Sequence, residues 1–77
     1  MKIRVELQGY LDQFSPTGND RFDYDAPEGA TVEDVMNRLG VPTDIATVIV
    51  VNDDAAEASQ PLAEGARLTF IPPLGGG

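Results

Sequence analysis

The sequence contains no cysteine and no histidine. Without cysteine there is no disulfide framework and no thiolate to serve as nucleophile or ligand. Without histidine the commonest general base and the commonest metal ligand are missing. Serine triads, cysteine proteases, zinc sites and haem sites are set aside on these grounds. Lysine occurs once, at Lys2, a scarcity that fits a salt-adapted host. Five basic residues face 13 acidic ones, for a formal charge of −8. That sign suits neither nucleic acid nor an anionic membrane surface. It steers the chain toward a basic protein surface instead. No apolar run approaches the roughly 18 residues of a membrane span. The alternating start, Met1-Lys2-Ile3-Arg4-Val5-Glu6, lacks the apolar stretch of a signal peptide. The expected location is the cytoplasm.

What is present is ordinary globular composition, 42% apolar and 23% charged, in 77 residues. A chain this short makes one small core and is an improbable scaffold for a self-contained enzyme. Lys2 to Gln8 alternates with period two, so Ile3, Val5 and Leu7 share one face of a strand. Tyr10, Leu11 and Phe14 extend the apolar character past Gly9. Ser15 to Asp20 is a turn cluster, and Arg21 to Asp25 alternates again, which predicts an antiparallel hairpin with a long loop. Thr31 is an N-cap with Asp34 three residues on. Val32, Val35, Met36 and Leu39 form one helical stripe. Asp34 and Arg38 are spaced for an i, i+4 ion pair. Gly40 and Pro42 stop the helix.

The β-branched run Thr47 to Val51 predicts a buried strand. Ala55 to Ala58 reads as a short edge segment, and Ser59 to Leu62 as a single helical turn. Arg67 to Ile71 is a last strand, ended by Pro72-Pro73. The order β, β, α, β, a short β and β predicts an α+β fold, one mixed sheet with the helix across one face. Its buried layer is expected to hold Ile3, Val5, Leu7, Phe22, Tyr24, Val32, Val35, Met36, Leu39, Val48, Val50, Leu68 and Phe70. Residues 1–71 form the domain, and 72–77 a flexible tail, with disorder expected beyond about Leu74.

Few side chains offer chemistry. Asp53, Asp54 and Glu57 cluster in one predicted turn, but they lack the glycine and ligand offsets of a calcium loop and read as a solvated turn. Ser15 and Ser59 have no histidine to activate them. No phosphate-cradling glycine pattern occurs. The terminal Gly75-Gly76-Gly77 stands apart. It follows a rigid diproline, and residues without side chains fit a channel too narrow for any Cβ. Fully extended, 72–77 reaches roughly 20 Å from the sheet. That suits delivery of a terminal carboxylate into another protein's active site; a frayed end is the bland alternative.

The ββαββ order, Val48-Ile-Val-Val-Asn52, Pro61-Leu-Ala-Glu-Gly-Ala-Arg-Leu-Thr-Phe-Ile71, the ending Pro72-Pro-Leu-Gly-Gly-Gly77 and the helix entry Glu28-Gly-Ala-Thr-Val-Glu-Asp-Val-Met36 together resemble the MoaD/ThiS family of ubiquitin-like sulfur carriers. The resemblance implies a β-grasp fold with the last strand parallel to the first. It implies a carrier rather than an enzyme. Gly77 is then the residue adenylated by a ubiquitin-activating-like adenylyltransferase and converted to a thiocarboxylate. Pro72, Pro73, Leu74, Gly75 and Gly76 form the tail that enters the partner's active site. The chain itself binds no cofactor or metal; ATP belongs to the activating partner. A sulfur-accepting synthase subunit is the second partner, with molybdopterin synthesis favoured by the diproline. Thiamine and other sulfur pathways, a protein modifier joined through Gly77, and a plain interaction module are the alternatives. Two positions depart from the family pattern. Asp53 follows Asn52 where a glycine is common, and Ala66 follows Gly65 where an aspartate is common. Strand alternation leaves Thr69 and Ile71 on the face away from the helix. Thr69 and Ile71 are expected to meet the docking partner, with Ile71 and Leu74 as apolar anchors within an acidic rim.

Overall fold

The computed structural model describes residues 1–42 and 47–73. Strand β1 (Lys2–Leu7) is followed by a 3₁₀ segment (Gly9–Phe14), β2 (Arg21–Asp25), helix α1 (Val32–Leu39), β3 (Val48–Val51), β4 (Asp54–Ala56) and β5 (Arg67–Ile71). The strands form one sheet in the order β2-β1-β5-β3-β4. β1 pairs antiparallel with β2 and parallel with β5, and β3 pairs antiparallel with both β5 and β4. The mixed sheet, with the parallel pair at its centre and the helix across one face, is the β-grasp arrangement.

The helix is specified by its ends. Thr31 Oγ1 accepts from Asp34 N at 3.3 Å, and Asp34 Oδ2 accepts from Thr31 N at 2.9 Å, a reciprocal capping box. Gly40 closes it with φ 85°, donating its N–H to Met36 O at 2.9 Å. The expected Asp34–Arg38 ion pair is not among the ion pairs of the described residues. Asp34 is committed to the cap instead.

Segment 57–62 departs from the expected helical turn. Its one local bond is a turn, Gln60 N to Glu57 O at 3.0 Å. Pro61 bridges Thr31 in an antiparallel contact. The reason lies at the start of the helix, where N–H groups have no partner within the helix. Glu33 N donates to Ala58 O at 2.8 Å and Val32 N to Gln60 O at 3.0 Å. The path of the segment aims both carbonyls at the helix start, and these two bonds tie it there.

The core joins Ile3, Val5 and Leu7 of β1 with Leu68 and Phe70 of β5 against Val32, Val35 and Met36. Phe22, Leu11, Val41 and Leu62 close its margins, with Ala26, Ala30 and Ala66 where elements approach closely. Tyr24 and Leu39 are half-buried at the edge rather than inside.

The expected parity of β3 is reversed. Val51 is 5% exposed, and Ile49 packs against the core, whereas Val48 is 49% exposed. Val50 is half-buried on the opposite face. A run of four β-branched residues carries no alternation, so its facing is set by its partners. Val51 pairs Leu68 and Ile49 pairs Phe70, and residues directly opposite share a face. A slip of one residue would invert the whole strand.

Residues 9–14 coil into a 3₁₀ segment instead of continuing the strand. Three residues per turn put Leu11 and Phe14 on one side. Leu11 is buried, Phe14 packs on the core, and Tyr10 is left 53% exposed.

Candidate functional site: the open sheet face and the root of the tail

Strand β5 carries the site because it runs through the middle of the sheet and ends at the tail. Its burial alternates, with Leu68 and Phe70 inside and Thr69 and Ile71 half-buried on the open face. Thr69 lies between Glu6 of β1 and Val50 of β3, and Ile71 lies opposite Val48. Ile71, Val48 and Val50 therefore make a small apolar strip on the open face, at the end nearest the tail. Val48 and Val50 belong to this strip, and assigning them to the core hid it.

On this face both signs of charge are present, and the charged residues nearest Ile71 in register are Glu6 and Arg21, in place of the purely acidic rim expected. Four of the five basic residues, Lys2, Arg4, Arg21 and Arg67, lie on it by alternation and register. Arg4 Nη1 pairs with Asp23 Oδ1 at 3.3 Å, Arg21 Nε with Glu6 Oε1 at 3.3 Å, and Arg67 Nη2 with Asp53 Oδ2 at 2.7 Å. Lys2 stands opposite Asp25 in the ladder. Cations and carboxylates match in number here, so the face is close to neutral in a chain of charge −8. A hollow of about 190 Å³ lies among Arg4, Glu6, Arg21, Val50, Arg67 and Thr69. It holds no arrangement of nucleophile and base.

The β3–β4 turn explains how the chain does without glycine at position 53. Asn52 and Asp53 have φ 50° and 73°, the two left-handed residues of a type I′ hairpin. Asn52 holds the backbone of Arg67 in β5 through two bonds, its own N–H donating to Arg67 O and its side-chain Oδ1 accepting from Arg67 N, each at 2.9 Å. Asp53 tolerates the left-handed region better than most residues, and its carboxylate is drawn onto Arg67.

At the tail root, the β1–β5 ladder extends one bond past β1, from Gln8 N to Phe70 O at 3.0 Å. Pro72 and Pro73 are half-buried, and the Pro72 ring stands beside Gly9. Leu74, Gly75, Gly76 and Gly77 lie outside the described residues, as does the expected disorder of the tail. Among the described residues no cluster of three or more carboxylates is placed to hold a metal ion; Asp53, Asp54 and Glu57 form none. No helix among them is long and apolar enough to cross a membrane.

Comparison with known proteins places this geometry. No curated protein matches the chain. Solved structures do. The small archaeal modifier protein 1 of Haloferax volcanii superposes with TM-score 0.76 at 22% identity, over 95% of this chain and 98% of its own. A Pyrococcus furiosus protein assigned as molybdopterin converting factor subunit 1 gives TM-score 0.76 at 22% identity, over 96% and 99%. A chain from the complex of subunits 1 and 2 of molybdopterin-converting factor from Helicobacter pylori gives 0.63 at 20%, over the full length of both. These likenesses establish the ubiquitin-like β-grasp fold, which sulfur carriers and small protein modifiers share. The sequence pattern of the ThiS family matches residues 10–77, which spans β2, the helix, β5 and the glycine ending, and the chain belongs to that family.

Proposed function

We propose that the chain is a sulfur carrier, not an enzyme, whose reactive group is the carboxylate of Gly77. An adenylyltransferase resembling ubiquitin-activating enzymes joins that carboxylate to AMP and releases pyrophosphate from ATP. The outer sulfur of a persulfide then attacks the acyl carbon and AMP leaves, and a thiol cleaves the resulting acyl disulfide, becoming a disulfide itself and releasing the thiocarboxylate. A free carboxylate is a poor electrophile, and the mixed anhydride supplies the leaving group it lacks. The chain contributes no acid, base or metal, in keeping with a sequence that has neither histidine nor cysteine. ATP is the partner's substrate.

The observation that carries this reading is the strip Ile71–Val48–Val50, which gives a partner an apolar, near-neutral grip at the root of a glycine tail. The accepting partner is a synthase subunit. Molybdopterin synthesis is favoured over thiamine synthesis by the diproline and by the likeness to molybdopterin converting factor chains. ATP–pyrophosphate exchange by the adenylyltransferase of the same organism tests the activation step. Exchange should require Gly76 and Gly77, and persistence after their deletion would overturn the reading.

A modifier reading is favoured by the likeness to the small archaeal modifier. A lysine amine of a target would then attack the same adenylate, forming an isopeptide bond through Gly77 and releasing AMP. The Met1 amine is itself occupied, donating to Ala26 O at 2.7 Å, which leaves Lys2 as the amine open to self-conjugation. Target peptides bearing a remnant that ends in Gly-Gly distinguish this outcome.

A further inference from the structure

The docking strip leaves the 3₁₀ segment without a role, yet its first residue meets the tail. Gly9 has φ 57°. A Cβ built on it would stand 2.9 Å from Cγ of Pro72 and 3.7 Å from its Cδ. The other described glycines at positive φ differ. Gly18, Gly29 and Gly65 have nothing within 4 Å of such a Cβ, and Gly40 has only Phe14 Cδ1 at 4.0 Å. Among the described residues, Gly9 is where a missing side chain admits another part of the chain. What it admits is the ring of the first residue after β5.

Neither side of this contact yields easily. The Pro72 ring fixes its own φ and cannot swing away like the end of a long side chain. The two strands leading into it are tied together, Leu7 opposite Phe70 and Gln8 N on Phe70 O. Gln8 is extended at φ −88°, ψ 154°, and the backbone then turns at Gly9 into the 3₁₀ segment, which Leu11 fastens to the core.

We propose that Gly9 is a positioning residue for the C-terminal tail. The recess left by its absent side chain seats the Pro72 ring and sets the direction in which the residues after Pro73 leave the sheet. This rests on the reading of Gly77 as the reactive terminus. Four residues extended in a partner's channel reach about 13 Å, so a turn of about 10° at the root moves the carboxylate by about 2 Å. Misplacement on that scale costs reaction rate while the docking strip still holds the partner.

The test compares Gly9→Ala with Gly65→Ala, which imposes a similar backbone penalty, φ 79°, in open space. In ATP–pyrophosphate exchange, Gly9→Ala should lose about tenfold in kcat with KM little changed, and Gly65→Ala should lose neither. Pro72→Ala removes the ring, so Gly9→Ala combined with Pro72→Ala should fall no further than Pro72→Ala alone. Equal behaviour of Gly9→Ala and Gly65→Ala, or losses that simply add in the double variant, would overturn the proposal. If the parent chain supports no exchange, the carrier reading fails by itself, and the seat is read by NMR on the isolated protein. A nuclear Overhauser effect between Gly9 Hα and the Pro72 ring protons is expected. So are amide shifts at Ile71 and Leu74 in Gly9→Ala that Gly65→Ala does not show. Absence of that effect in the parent overturns the seat whatever the enzyme does.

Discussion

Val48 stands directly opposite Ile71 across the β3–β5 ladder, and both side chains lie on the face that the helix does not cover. Under the proposed function this aliphatic pair at the root of the tail would be the partner's grip, since burying one such side chain contributes about 1.5–3 kcal/mol. Val48→Asp and Ile71→Asp should each weaken binding to the activating enzyme by about tenfold or more, because about 1.4 kcal/mol is a factor of ten. Both variants should keep the parent circular dichroism spectrum. Titration calorimetry reads the affinity, and unchanged binding in both would remove the docking role.

The parity of β3 makes a separate prediction about stability. Val51→Ala should cost about 1.5–3 kcal/mol, since Val51 is buried opposite Leu68. Val48→Ala should stay within about 0.5 kcal/mol of the parent. Urea denaturation separates the two. The reverse ranking would mean that β3 is registered one residue away.

Losing the capping box should loosen the helix and the segment tied to its start. Thr31→Ala is expected to cost about 0.5–2 kcal/mol. Hydrogen exchange should quicken at Val32 and Glu33, whose N–H groups meet Gln60 and Ala58 carbonyls. Stability equal to the parent would show that the cap contributes nothing here.

At Asp53, with φ 73°, a side chain is tolerated rather than required. Asp53→Gly should leave stability within about 0.5 kcal/mol or raise it, because an exposed ion pair such as that with Arg67 is worth at most about 1 kcal/mol. Asp53→Val should lower stability by about 1–2 kcal/mol, as a β-branched residue resists the left-handed region. Thermal unfolding of the two variants decides it, and a stable Asp53→Val would contradict the turn geometry.

The elements most readable in the sequence were those whose side chains alternate or cap. Ile3, Val5 and Leu7 declare their face by period, and Thr31 with Asp34 declares the helix start. Leu68 and Phe70 likewise leave Thr69 and Ile71 on the open face. The facing of β3 was not readable, because Val48 to Val51 are chemically alike and only pairing with β5 distinguishes them. The 3₁₀ segment was hidden for a similar reason. Leu11 and Phe14 repeat every three residues over a single turn, too short a stretch to separate from an irregular loop. The contact of Gly9 with Pro72 spans more than sixty positions of sequence, and no local pattern announces it. The neutral character of the open face was also invisible in a net charge of −8, because charge balance does not say which face carries the arginines.

The central claim is that the Gly77 carboxylate is converted to a thiocarboxylate. Intact-protein mass spectrometry tests it most directly, after incubation with the matching adenylyltransferase, ATP, a persulfide sulfur donor and a thiol reductant. The account predicts a mass gain equal to the exchange of one oxygen for sulfur, located in the C-terminal peptide and absent when Gly76 and Gly77 are deleted. An unchanged mass under conditions where the same enzyme forms the adenylate would contradict it.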